Sequence, residues 1–181
     1  MAWQVAQEQG LGQLTLRAIA GRVGMRPPSL YSHFSSKDAI YDAMFRQAWE
    51  GYEARIEGLE ERLPDEPRQA LKVIAATIVD YSLEDLARHQ LMNVRMIPGF
   101  TPSAEAYAPA VRVIERLHAT LSRMEITDAA AADLFTALTQ GLVDQQWAND
   151  PGGSRWRRLL DRVIDMYANE MGLPGPERRS R

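Results

Sequence analysis

Three histidines and a scatter of carboxylates are the groups with metal or acid–base chemistry, and their spacing does not assemble a catalytic centre. Glu115 and His118 form a Glu-x-x-His, which on a helix puts both side chains on one face, as in di-iron bundles. Such a centre needs a second copy of the motif and two further glutamates, and neither His33 nor His89 has a glutamate three residues before it. Asp85 and His89 lie one turn apart, a spacing more typical of a surface contact than of a ligand pair. There is no His-Glu-x-x-His and no phosphate-binding glycine loop. With no cysteine, disulfides and cysteine-ligated zinc are excluded. The expectation is a protein that is not an enzyme and carries no cofactor and no metal.

A different chemistry is concentrated between Thr15 and Phe34, which read Thr-Leu-Arg-Ala-Ile-Ala-Gly-Arg-Val-Gly-Met-Arg-Pro-Pro-Ser-Leu-Tyr-Ser-His-Phe. Two short helices that cross steeply need a small residue where they touch, and Ala20 supplies it. The turn between them needs a residue that tolerates positive φ, and Gly24 stands four positions on. Leu16, Ile19, Val23, Met25 and Leu30 then form a small core beneath. This is a helix-turn-helix pattern, with Pro27–His33 as the segment placed to enter a DNA major groove. Arg26 opens the second of these helices, where a cation opposes the helix dipole and displaces a good cap, at about 0.5–1 kcal/mol. That cost is understandable if the guanidinium meets a guanine or a phosphate, the rival being a solvated arginine.

The elements that must position this segment are helical almost throughout, because apolar residues recur at three- and four-residue steps. A first helix runs from Ala2 to about Gln9, a second opens at Thr15, and a third follows Pro27-Pro28 to His33 or Phe34. Ser35-Ser36 caps a long fourth helix, with Asp38 completing a capping box and Leu63 at its far end. Pro64–Pro67 breaks it, and a fifth helix carries Leu71 to Tyr81. A sixth is capped at Ser82 or Asp85 and reaches about Met96, and the irregular stretch 98–103 leads to a seventh through Leu121. The eighth opens at Thr127 or Asp128 and the ninth at Ser154. The expected fold is all-α, with about nine helices: a helix-turn-helix head over 1–46, a larger antiparallel helical domain over 47–172, and a disordered tail over 173–181.

The formal net charge of −3 is unpromising for a nucleic-acid binder, but its distribution is uneven. Residues 1–46 carry Arg17, Arg22, Arg26, Lys37 and Arg46 against Glu8, Asp38 and Asp42, which is +2 and leaves −5 for the rest. There is no apolar run of about 18 residues and no basic stretch followed by an apolar one at the start. A cytoplasmic protein without a membrane partner is expected.

Leu-Tyr-Ser-His-Phe at 30–34, followed by Ser-Ser-Lys at 35–37 and placed ahead of a helical body, resembles the head of the TetR family of bacterial transcriptional regulators. The resemblance covers about residues 3–46. It implies phosphate contacts from Thr15, Tyr31, His33 and Lys37, and base-edge contacts from Arg26, Pro28, Ser29 and Ser32. The rival roles are plain: Thr15 as a cap, and Tyr31 and His33 as packing. Members of that family usually carry several residues, often basic, before the first helix; here the chain opens at Met1-Ala2-Trp3 inside it, so no contact is assigned to an N-terminal arm.

The resemblance further implies a ligand-responsive repressor that binds a palindromic operator in double-stranded DNA as a homodimer and is released by a small-molecule effector. The last two helices are then the dimer face, through Trp156, Leu159, Leu160, Val163, Ile164, Tyr167 and Met171 on the ninth and Ala129, Ala132, Leu138, Gly141 and Leu142 on the eighth. The pocket falls among the aromatic and methionine residues between: Trp49, Tyr52, Tyr81, Met92, Phe100, Tyr107, Phe135 and Trp147. Such a lining suits a largely apolar effector, although aromatic stripes at helical spacing are more often ordinary core. The alternative is a helical ligand-binding or adaptor protein with no DNA function.

Overall fold

The computed structural model describes residues 1–175 other than Ser32 and Arg95, and of Pro27 and Tyr31 it describes the backbone alone. Among the described residues the chain forms α1 (Ala2–Gln9), α2 (Leu16–Arg22), α3 (Pro27–Tyr31), α4 (Lys37–Ile56), α5 (Pro67–Leu83), α6 (Leu86–Asn93), α7 (Ala104–Arg123), α8 (Ala131–Asn149) and α9 (Leu160–Glu170). Short 3-10 turns lie at Leu11–Gln13, Glu60–Arg62 and Arg157–Leu159, and no strand occurs among these residues. The all-α class read from the periodicity holds.

Helix starts follow side-chain caps, which satisfy first-turn N–H groups that have no partner inside the helix. Thr15 Oγ1 accepts from Ala18 N at 3.1 Å, Asp85 Oδ1 from Arg88 N at 3.0 Å, and Ser103 Oγ from Ala106 N at 3.1 Å. At α4 the capping hydroxyl is that of Ser36, bonded to Ala39 N at 3.1 Å, rather than that of Ser35. Several ends differ from the periodic reading. The helix expected to reach Leu63 stops at Ile56, because Gly58 takes φ 65° and a 3-10 turn follows. The eighth helix opens at Ala131, since the Asp128 carboxylate first turns the chain by accepting from Ala130 N at 2.8 Å. The ninth is preceded by a 3-10 turn and begins at Leu160.

The helices form two compact units, neither continuous in sequence: Met1–Ala54 with Glu84–Arg112, and Arg55–Leu83 with Val113 onward. The first therefore holds more than residues 1–46, adding α6 and the first half of α7. Its core joins Val5, Leu14, Leu16, Ile19, Ala20 and Leu30 to Ile40, Tyr41, Met44 and Phe45 of α4, Ala87 and Leu91 of α6 and Ala106 of α7. In the second unit α5, α8 and α9 pack pairwise. Leu71, Ala75, Ile78 and Val79 are buried there with Phe135, Leu142, Val143, Leu160, Ile164 and Tyr167. Arg68 is also buried, 3% exposed, and its guanidinium donates to the carbonyls of Asp165, Leu173 and Pro174 and to Asn169 Oδ1. One cation of α5 thus ties that helix to α9 and to the chain that follows it.

Candidate nucleic-acid interface

The link from α2 to α3 closes through two backbone bonds: Met25 N to Ala20 O at 2.9 Å and Gly24 N to Gly21 O at 3.4 Å. That pairing is a Schellman end, which needs a left-handed residue at its centre, and Gly24 sits at φ 68°. A side chain there would be strained even though the space around it is open. Ala20 is 0% exposed and Leu30 5%, so the short helix α3 is held down by Leu30 on the small-residue side of α2. Its other side faces solvent: Arg26, Pro28, Ser29 and His33 are all exposed. The Arg26 carbonyl accepts from Ser29 N at 2.9 Å, so its residue stands where a cap would. No acidic partner for Arg26 occurs among the described residues. The Tyr31 side chain and Ser32 lie outside those residues.

The flanking groups divide between head structure and free donor capacity. Thr15 is exposed and its oxygen is occupied as the α2 cap, but its proton remains available to a phosphate oxygen. Lys37, half-buried at the start of α4, donates to Gly12 O at 3.0 Å and lies 5.3 Å from the centroid of the Tyr41 ring. An ammonium has three donors, so two remain beside the positive end of α4. Arg22 is taken up in a bidentate pair with Glu8, which joins α2 to α1 and removes one cation from the apparent surplus of the head. The Glu115 and His118 side chains are exposed, and no group of three metal-ligating side chains occurs among the described residues. Asp85 caps α6 and accepts from Gln7 Nε2 at 2.6 Å.

The eight aromatic and methionine residues divide between the two units. Trp49, Tyr52, Met92, Phe100 and Tyr107 belong to the first; Tyr81, Phe135 and Trp147 belong to the second. In the second, Phe135 meets Tyr167 edge-on at 5.6 Å, Tyr81 is covered by Arg55, and Trp147 Nε1 donates to Ser82 O at 3.3 Å. In the first, Phe100 and Tyr107 line a cleft of about 110 Å³ together with Phe45, Leu91, Ile97 and Pro102. Phe45 was missed by the sequence reading, although Tyr41, Phe45, Trp49 and Tyr52 fall at helical spacing along α4. The rings of Phe45, Trp49 and Tyr52 run in series, with Phe45–Trp49 at 6.4 Å and Trp49–Tyr52 at 6.3 Å. The Trp49 indole N–H is buried without an acceptor.

On the last two helices the periodic stripe separates into an inner and an outer part. Ala132, Leu142, Leu160, Ile164 and Tyr167 are buried within the chain. Leu138 and Gly141 face outward on α8, where Leu134 and Ala137 extend the same small, apolar surface, and Met166 is 62% exposed on α9. Trp156, Leu159, Val163 and Met171 are half-buried.

Together these features define an all-helical protein with a helix-turn-helix head at its N-terminal end. Residues 1–44 match the family model of the bacterial regulatory proteins, tetR family, the stretch that holds the Leu30–Lys37 string, so the head is similar to the heads of that family. No curated protein sequence matches the chain. Among solved structures, a protein with unknown function from Rhodococcus sp. is 17% identical, with a TM-score of 0.75 over 96% of this chain and 92% of that one. The TetR family transcriptional regulator PfmR from Thermus thermophilus is 22% identical, with a TM-score of 0.66 over 98% and 97%. A TetR variant from Acinetobacter baumannii in complex with minocycline is 21% identical, with a TM-score of 0.60 over 94% and 92%. The fold of TetR-family regulators thus extends along nearly the whole chain.

Proposed function

We propose that this protein is a ligand-responsive transcriptional repressor that binds a palindromic operator as a homodimer and is released by a small, largely apolar effector. The observation that carries the reading is the exposed face of α3, fixed on α2 by the Gly24 turn inside the stretch that matches the family model. Arg26, Pro28, Ser29 and Ser32 read base edges, and Thr15, Tyr31, His33 and Lys37 hold phosphates. The outward apolar faces of α8 and α9 support a dimer through these helices, since a palindrome needs two heads about 34 Å apart. An effector that favours badly spaced heads weakens operator binding by its differential affinity for the two states. Of the residues expected to line the effector pocket, Trp49, Tyr52, Met92, Phe100 and Tyr107 share the first unit and are the set this proposal keeps. A cytoplasmic location belongs to the same proposal; no helix among the described residues is long and apolar enough to cross a membrane.

The test is selection of bound duplexes from sheared genomic DNA, followed by anisotropy of one such duplex across a salt series. Phosphate neutralisation requires the logarithm of the binding constant to fall linearly with the logarithm of salt. No salt-dependent binding at any sequence would sink the reading and leave a ligand-binding or adaptor protein. Arg26→Ala should relax preference at one base pair, by about 1–3 kcal/mol. An equal loss at every sequence would reassign Arg26 to a phosphate.

A further inference from the structure

We propose that the cleft inside the first unit is a binding site for a small neutral molecule with one aromatic ring system, and that its occupancy is read directly by the head. The proposal deepens the regulator reading and rests on it for its purpose, though not for the site itself. The cleft lies between α4 and the connection from α6 to α7, with walls of Phe45, Leu91, Ile97, Phe100, Pro102 and Tyr107. Its volume, about 110 Å³, approaches that of an engineered apolar cavity in another protein, about 150 Å³, which binds benzene. Among the described residues no charged side chain lines it, and the side-chain polar groups it offers are the hydroxyls of Thr101 and Tyr107. The nearby charges among the described residues are already used: Arg46 by Glu50 and Glu105, and Asp42 by Ser103. A charged ligand would lose its hydration here without a counter-charge, whereas a neutral ring would not. At the rim, Val94, Met96 and Tyr107 are 37%, 54% and 50% exposed, apolar surface that a ligand would cover.

The coupling follows from what stands behind the wall. The Phe100 ring rests on Tyr41 at 5.5 Å, and Tyr41, itself 0% exposed, donates its hydroxyl to Leu11 O at 2.5 Å. Leu11 belongs to the 3-10 turn that carries the chain from α1 to α2, and Lys37 holds the next carbonyl, that of Gly12, at 3.0 Å. The connection is pinned one residue along α4 as well: Ser103 donates from its N and its Oγ to Asp42, each at 2.7 Å. A ring entering the cleft presses on Phe100, and the close-packed path from Phe100 through Tyr41 leads to the Leu11–Gly12 turn that sets α2.

Indole, neutral and of suitable size, tests the site on the full-length chain, with benzoate as the charged control. Amide and methyl NMR spectra are followed, expecting indole to shift the Met96 and Tyr107 signals with a dissociation constant of about 1 mM. Benzoate should bind about tenfold more weakly, and Tyr107→Ala should weaken indole about tenfold. Indole should also shift the Leu11 and Gly12 amides, an effect that Tyr41→Phe reduces while leaving the Met96 shift in place. Unchanged Met96 and Tyr107 signals, or binding indifferent to Tyr107→Ala, overturn the site. Normal binding with static Leu11 and Gly12 amides overturns the coupling. Operator binding is measured separately without indole, so its failure counts against the regulator reading and leaves the cleft result standing.

Discussion

Replacing Arg68 by methionine keeps most of the apolar stem and removes the guanidinium, so the loss reports on what that group holds. It donates to Asp165 O at 3.2 Å, Asn169 Oδ1 at 2.6 Å and Leu173 O at 2.7 Å, and also to Pro174 O. Breaking a buried charged set costs about 3–5 kcal/mol, because hydrogen bonds to a charge contribute about 1.5–3 kcal/mol each and do not add. Two features place the expectation at the lower end. Lys72 Nζ still holds the Asp165 carboxylate at 2.8 Å, and Pro174 is exposed, so water can reach its carbonyl. The expected loss is therefore about 3 kcal/mol, or roughly 6–12 °C for a chain of this size. Urea titration followed by circular dichroism, at fixed protein concentration, reads the first quantity. Hydrogen exchange at the amides of Tyr167–Met171 reads the local effect, which should exceed that at α5. Arg68→Lys should recover part of the loss, since an ammonium cannot span the same acceptors. A loss under about 1 kcal/mol, or α9 amides no less protected than before, would refute the reasoning.

Lys37→Met separates two roles of one ammonium. If Lys37 holds a phosphate, the salt slope of operator binding falls by about 0.9 for each head; an unchanged slope with a lower melting temperature would make it only a tie to Gly12 and Tyr41. Leu138→Glu places a carboxylate on the outward face of α8, and should weaken self-association at least about a hundredfold in sedimentation experiments. Unaltered association would move the dimer interface elsewhere. Burial, with a smaller contribution from Asp128, pushes the Tyr167 phenol up to about 12. Its ordinary value is about 10, so the neutral ring supports the fold fully below that pH and its contribution is lost as pH rises from about 10 to 12. Tyr167→Phe gives up the bond to Ala131 O, 3.0 Å long, at neutral pH and should flatten this alkaline limb. Parallel stability curves for the two proteins would contradict the assignment.

What could be read along the chain was local. Ala20, Gly24 and Leu30 lie within one motif, so turn chemistry and helical spacing were enough to place α2 against α3. The class of fold was equally accessible, because an apolar stripe at a helical period does not depend on what covers it. Helix ends were less so. Gly58 ends α4 early and Asp128 delays α8, and each is a single-residue choice among several breakers that the sequence presents with equal force.

The remaining features needed side chains distant in sequence to meet. The Glu8 carboxylate that takes up Arg22, the Gly12 carbonyl that takes up Lys37 and the α9 end that captures Arg68 are all invisible to a one-dimensional reading. The aromatic set behaved in the same way: eight residues that looked like one lining are divided between two units, and only Phe100 and Tyr107 line the cleft with the overlooked Phe45. Sequence alone carried the helix-turn-helix pattern of the head and the helical class, since both rest on contacts within a few turns of chain. Which cations stay free, where the cleft opens and what it touches came from tertiary packing, because those depend on partners 14 to more than 100 residues away.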